Sequence, residues 1–282
     1  MLARIKDRLL SGVLVGGVAI AATLWIPLGG ALFILLAVCA LAMFEFYSLL
    51  DAAAIPHFKY FGLSSGLVLI AATWFPLRDS SVQVCDMEWI VMCGITIAVF
   101  LRQFPQKNNP QPLETIAGTL MGVIYISVLL SFFVKLLLFW GDKTGRLLIL
   151  YLLLVVKASD MGAYFVGCSI GRHKLIPRIS PAKTWEGFFG GLLSSLAVSV
   201  LFYSFAKNNM APLAVHLSDA LILGVFLGTI GTVSDLTESL FKRGAGVKDS
   251  GRMIQGMGGI LDVIDSLLFS APALYVYARF FL

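Results

Sequence analysis

The chain has 282 residues, 59% of them hydrophobic and only 13% charged, with a mean hydropathy of +0.90 and a formal net charge of +5. A water-soluble domain carries about twice that charged fraction. Here the apolar residues also fall into blocks of about 20, the length that spans a hydrocarbon core of about 30 Å. Composition thus excludes a soluble globular protein, and the lack of alternation over roughly ten residues excludes a β-barrel. What remains is an all-α polytopic integral membrane protein, whose helices satisfy their own backbone groups in lipid.

In chain order, nine spans are expected, at about 9–27, 29–50, 59–77, 88–104, 115–138, 147–167, 187–206, 217–240 and 260–281. The first follows a basic start (Arg4, Lys6, Arg8). Its apolar run is too long for a signal peptide and lacks a clear cleavage site, so it is read as a retained span. The seams lie at Pro27 to Gly30, Asp51 to Pro56, Asp79 to Glu88 and the polar run from Gln106 to Glu114. Cys39, Cys85, Cys93 and Cys168 show no ligand-like spacing and read as small buried residues.

With the N-terminus in the cytoplasm, the inner segments hold fourteen lysines and arginines and the outer ones hold Arg78, Lys143, Arg146, Lys207 and Arg279. That asymmetry obeys the positive-inside rule. The positive net charge is therefore topological and gives no argument for nucleic-acid binding. The chain is expected to divide into residues 1–140, with about five spans, and residues 141–282, a transmembrane region with cytoplasmic loops at 168–186 and 241–259 in which the motifs below place the catalytic residues.

Most of the chemistry-bearing residues fall in that second region. The stretch SDLTESLFKRGAGVKDSGRMIQGMGGILDVID, Ser234 to Asp265, places charges and six glycines inside an apolar context. Asp235, Ser239 and Lys242 are spaced i, i+4, i+7 and share a helix face with Glu238 beside them, while Asp262 and Asp265 are i, i+3. Ionisable groups within spans cost about 2.5–3.5 kcal/mol each on insertion scales and mark functional sites. Carboxylates converging from two helices need a counter-charge, and oxygen-only ligands favour Mg²⁺ or a similar hard cation. Lys242, Arg243 and Lys248 beside that cation suit a polyphosphate, with glycine backbone approaching closely. The N–H groups that open the last span add a positive dipole end for the same anion.

The other charged loop, GRHKLIPRISPAKTWEG, agrees with this. Ser180 before Pro181 reads as an N-cap with proline at the first helical position, which puts Lys183 in the first turn. Lys157 and Asp160 lie inside the sixth span, an expensive place unless paired or functional. Glu45, late in the second span, is either a buried hydrogen-bonding partner or an interfacial end residue.

Ser239-x-Phe-Lys242-Arg243, then Lys248-Asp249, then Gly258-Gly259-x-x-Asp262-x-x-Asp265 resembles the signature of the phosphatidate cytidylyltransferases (CDP-diacylglycerol synthases). DMGAYFVGCSIGRHKLIPRISPAKTWEGFFGG, upstream, is similar to that family in order and spacing. Met257 and Val263 stand where the family pattern has histidine and arginine, and Gln255 replaces a usual proline. The resemblance implies the reaction CTP + phosphatidate → CDP-diacylglycerol + pyrophosphate at a bacterial inner membrane, with the active site facing the cytoplasm. It implies Mg²⁺, with a second cation such as K⁺, on Asp235, Asp262 and Asp265. Lys242, Asp262 and Asp265 become the catalytic residues, and Ser180, Lys183, Ser239, Lys242, Arg243, Lys248 and Asp249 hold CTP. A homodimer joined through small-residue helix faces is expected on packing grounds. The alternatives are a CTP-dependent transferase or kinase on another lipid acceptor, and a transporter, since intramembrane Asp and Lys also mark ion pathways.

Overall fold

The computed structural model describes residues 16–78, 84–251, 253 and 258–282. The expectations placed on Arg4, Lys6, Arg8, Arg252, Gln255, Gly256 and Met257, and on the Cys85 side chain, lie outside these residues.

The apolar blocks form helices α1 (Gly16–Trp25), α2 (Leu28–Ala52), α3 (Lys59–Arg78), α4 (Val84–Gln103), α5 (Pro112–Gly122) and α6 (Leu129–Leu138). There follow α7 (Asp142–Ile170), α8 (Trp185–Ala206), α9 (Leu217–Gly244) and α10 (Ile260–Phe281). A π-helical segment, Val123–Val128, joins α5 to α6 into one helical run. Among the described residues seven helices are long and apolar enough to cross a membrane: α2, α3, the α5–α6 run, α7, α8, α9 and α10. Their outward faces stay apolar. Phe189, Leu193, Leu201 and Phe205 stand exposed along one side of α8, where a helix in water would carry polar residues.

The bulkiest fully buried side chains, Trp74, Tyr47, Phe46 and Met43, belong to the first half, where Leu69, Ile70, Ile126 and Leu130 are buried as well. Tyr47 shows how they lock together. Its ring stacks on His57 at 4.9 Å and its hydroxyl donates to the Thr119 carbonyl at 2.9 Å. It fits only because Gly62 and Gly122 carry no Cβ, which would collide with the ring.

The second half packs by close backbone approach. A Cβ on Gly190 would strike Val166, on Gly187 the Ala163 carbonyl, and on Gly228 the Ser195 hydroxyl, so α7, α8 and α9 meet through small residues. The small-residue faces of α7, α8 and α9 are thus occupied within the chain, whereas Gly16, Gly17, Gly29 and Gly94 have nothing against them among the described residues.

Two expectations are corrected here. The segment after α7 is not the start of a helix at Pro181 but a hairpin, β1 (Lys174–Ile176) antiparallel to β2 (Ser180–Thr184). Thr184, not Ser180, is the N-cap of α8, its hydroxyl accepting from the Gly187 N–H at 3.1 Å. The Glu186 carboxylate then accepts from the Arg172 and His173 N–H groups, which holds the hairpin against the first turn of α8. Of the cysteines, Cys39 is buried as expected, but Cys93 and Cys168 are exposed on their helices. On a bundle whose outer faces are apolar, a small apolar side chain gains nothing by turning inward.

Candidate active site

The C-terminal turns of α9 and the first turns of α10 converge, and Ser234 fastens them together. Its hydroxyl donates to the Asp265 carbonyl and accepts from the Phe269 N–H at 3.3 Å. The junction brings carboxylate oxygens of Asp235, Glu238 and Asp265 within 4.8 Å of one another, Glu238 and Asp265 buried and Asp235 half-buried. Two carboxylates 4 Å apart repel by about 4 kcal/mol at an effective dielectric of about 20, so such a trio needs cations around it.

Three lysines from three elements approach. Lys183 reaches from β2, with its Nζ 2.9 Å from Asp235 Oδ2 and 3.3 Å from the Thr232 carbonyl. Lys242, one turn beyond Glu238, sits between Glu238 and Asp262, whose Oδ1 is 2.6 Å away. Lys157 donates to Asp160 Oδ2 at 3.2 Å and to the Val263 carbonyl and Ser266 Oγ at 3.0 Å each. Ser239 Oγ lies 3.4 Å from Asp235 Oδ1. Lys183 is therefore brought to the acidic trio by an extended strand, not by a helix N-terminus.

The start of α10 departs from the sequence-based expectation. Its N–H groups do not face an open anion site, because the protein's own carboxylates occupy them. Asp262 Oδ2 accepts from the Gly259 N–H at 2.7 Å and from the Ser250 N–H and hydroxyl at 3.1 and 2.8 Å. Glu45, buried near the end of α2, accepts from the Ile260 and Leu261 N–H groups at 3.0 and 2.8 Å and from Ser250 Oγ at 3.1 Å. An acidic side chain is the favoured partner for a helix N-terminus. Gly258, at φ 99°, lets the chain turn where a side chain would meet Asp262, and a Cβ on Gly259 would collide with Glu45.

Asp262 thus lies apart from the acidic trio, and Glu238 joins Asp235 and Asp265 in its place. Among the described residues, Glu238 has no hydrogen-bond donor other than the Lys242 ammonium with which it forms its ion pair. A buried, oxygen-only donor set with carboxylate capacity unspent fits a hard divalent cation. Ser180 opens β2 beside the hairpin turn, and Lys248 and Asp249 are exposed in the loop that follows α9. Arg243 points to the hairpin, donating from Nε to the Ile179 carbonyl at 3.2 Å and from Nη1 to Val247 O at 3.4 Å. His173, exposed, pairs with Glu186 at 2.6 Å.

Tyr125 was not singled out in the sequence. It projects from the π-helical segment into an aromatic cluster with Phe241 (5.0 Å), Phe46 (5.7 Å) and Phe269 (6.2 Å) that walls the acidic site. Its hydroxyl is buried with no hydrogen-bond partner among the described residues. A π-bulge is the one local sign that could have marked it, and sequence periodicity does not reveal such a bulge.

Comparison with known proteins follows the same line. A sequence model described as "Cytidylyltransferase family" matches residues 6–281. The chain is 31% identical to the phosphatidate cytidylyltransferase of Bacillus subtilis over 276 residues, 98% of each chain. It is 36% identical to that of Staphylococcus aureus over 259 residues, 92% of this chain and 95% of the relative. The similarity to the Haemophilus influenzae protein of the same name is 44% over 137 residues, 49% of this chain and 47% of that protein. The chain belongs to the cytidylyltransferase family.

Proposed function

We propose that this protein transfers the cytidylyl group of CTP to phosphatidate at a bacterial inner membrane, with nine spans and its N-terminus and acidic trio on the cytoplasmic side. The observation that carries this reading is the convergence of Asp235, Glu238 and Asp265 with Lys183 and Lys242 at one end of apolar helices. A water-borne polyanion and a lipid head group both reach such a place.

In the reaction, a phosphate oxygen of phosphatidate forms a bond to the α-phosphorus of CTP, the bond from that phosphorus to the β-bridging oxygen breaks, and pyrophosphate leaves. The nucleophile is already an anion, so no side chain has to remove a proton. The difficulty is bringing two anions together, which calls for positioning and charge neutralisation. Lys183, Lys242 and Lys248 supply cations for the triphosphate, with Ser239 as a hydroxyl donor and Ser180 and Asp249 at the rim. Asp235, Glu238 and Asp265 would hold Mg²⁺. Asp262 would enter that set, or hold a second cation such as K⁺, by exchanging the Lys242 ammonium. A bound divalent cation would neutralise phosphate charge as pyrophosphate departs. A homodimer would use a surface other than the α7–α9 small-residue faces.

The test is purified protein in mixed micelles with labelled CTP and phosphatidate, with and without Mg²⁺. The proposal requires CDP-diacylglycerol and pyrophosphate in equal amounts, dependent on Mg²⁺. Turnover with an isoprenoid alcohol or phosphate but not with phosphatidate would move the protein to another lipid acceptor, and no turnover with any acceptor would refute the transferase reading.

A further inference from the structure

Beside the acidic trio, on another face of α9, lies a groove of about 470 Å³, within the size range of small-molecule sites. Its wall is apolar and includes Phe46 and Leu49 of α2 and Leu240 and Phe241 of α9, while Arg178 of the hairpin turn and Arg243 of the last turn of α9 stand at it too. Leu240 is 45% exposed, so the groove opens to the outside of the bundle. The Phe46–Phe241 contact, edge to face at 5.7 Å, belongs to the aromatic wall shared with Tyr125, so groove and acidic trio are neighbours.

The combination is amphipathic in a specific way. An apolar channel on a membrane-spanning surface accommodates an acyl chain. Two guanidinium groups at one end match a phosphomonoester dianion, which arginine recognises better than a point cation does. Arg243 is already oriented by its bonds to the Ile179 and Val247 carbonyls. Arg178, exposed, has no ionic or hydrogen-bonded partner among the described residues. A nucleotide fits less well, because the wall offers a pyrimidine base little to hydrogen-bond.

We infer that this groove is the phosphatidate subsite: one acyl chain lies along Phe46, Leu49, Leu240 and Phe241, and Arg178 and Arg243 hold the phosphate. This rests on the cytidylyltransferase reading for its substrate. It reassigns Arg243 from the triphosphate to the lipid. The hairpin then has two tasks, Arg178 at its turn for the lipid and Lys183 on β2 for the side facing CTP, so that one short element brings the two substrates together.

The test combines kinetics with labelling. Arg178→Gln removes a cation from an exposed side chain, and Leu240→Trp fills the groove from an exposed position, so neither disturbs the core. Each is expected to raise KM for phosphatidate about tenfold or more, the loss of a charge-assisted contact or of acyl room, with KM for CTP within about twofold. Equal rises in both KM values, or no change in either, would overturn the assignment. In parallel, phosphatidate with a diazirine in one acyl chain is photolysed with the protein in phosphatidylcholine nanodiscs. Labelling of the 46–50 and 240–245 segments that excess phosphatidate suppresses and excess phosphatidylcholine does not would support the groove. Labelling suppressed equally by both lipids, or absent, would overturn it. Because labelling needs no turnover, failure of the groove and failure of the cytidylyl-transfer reading are separable.

Discussion

Two ion-paired clusters among the described residues lie within the helical bundle, partly or wholly shielded from solvent, and they differ in balance. In the first half, Lys135 of α6 meets Glu88 of α4 at 2.6 Å, the Ser131 hydroxyl donates to Glu88 at 2.9 Å, and the Phe132 ring lies 4.2 Å from the ammonium. Each charge has one opposite partner. At the α9–α10 junction, Glu45 reaching in from α2 shares one region with Asp160, Asp235, Glu238, Asp262, Asp265, Lys157, Lys183 and Lys242. Six carboxylates face three lysines there. Burying unbalanced charge costs several kcal/mol per ion, so a balanced pair can serve structure alone, whereas the unbalanced cluster leaves carboxylate charge for the cation and substrates proposed above. Tyr275, against Lys135, lies ten residues beyond Asp265 on α10, about 15 Å along the helix, so the two clusters are well apart.

Substitutions should separate the clusters sharply. The largest effect is expected for Asp265→Asn, which removes a charge from the acidic trio: turnover in the micelle assay falls about 10²–10³-fold, the scale seen when a preorganised electrostatic contact is lost, while circular dichroism stays unchanged. Lys242→Met leaves Glu238 and Asp262 without their cation. It should lower stability by about 3–5 kcal/mol in chemical unfolding, and adding Glu238→Gln should recover part of that loss. Glu45→Ala strands the Ile260 and Leu261 N–H groups, about 1–3 kcal/mol, with faster amide exchange confined to the start of α10. Thr184→Ala should cost about 1 kcal/mol through the lost α8 cap. Smallest of all, Glu88→Gln with Lys135→Met should leave turnover within about twofold, since replacing both members of a balanced pair is often neutral. A large loss there would erase the distinction between the clusters.

The same contrast decides what could be read from the sequence. Span lengths and the i, i+4, i+7 spacing of Asp235, Ser239 and Lys242 and the i, i+3 spacing of Asp262 and Asp265 are local signals, and the structure has helices at those positions with α9 and α10 converging. Two things were not local. Glu45 binds N–H groups 215 and 216 residues away, a partnership that no spacing rule reaches. The hairpin was hidden because Ser-Pro at 180–181 imitates a helix start, while the pairing of β2 with β1 and the grip of Glu186 on Arg172 and His173 decide the outcome. Glu238 was visible one turn before Lys242. That it stands with Asp235 and Asp265 in place of Asp262 depends on Asp262 being taken by the α10 N-terminus.

Under the proposed function, carboxylate excess, rather than burial of charge as such, makes the cation site. Mn²⁺ binding followed by electron paramagnetic resonance, in detergent and without substrate, tests it most directly on the wild type, Asp265→Asn and Glu88→Gln. One saturable Mn²⁺ site that Mg²⁺ displaces is expected, lost in Asp265→Asn and intact in Glu88→Gln. A site that survives Asp265→Asn, or a wild-type protein that binds no Mn²⁺, would contradict it.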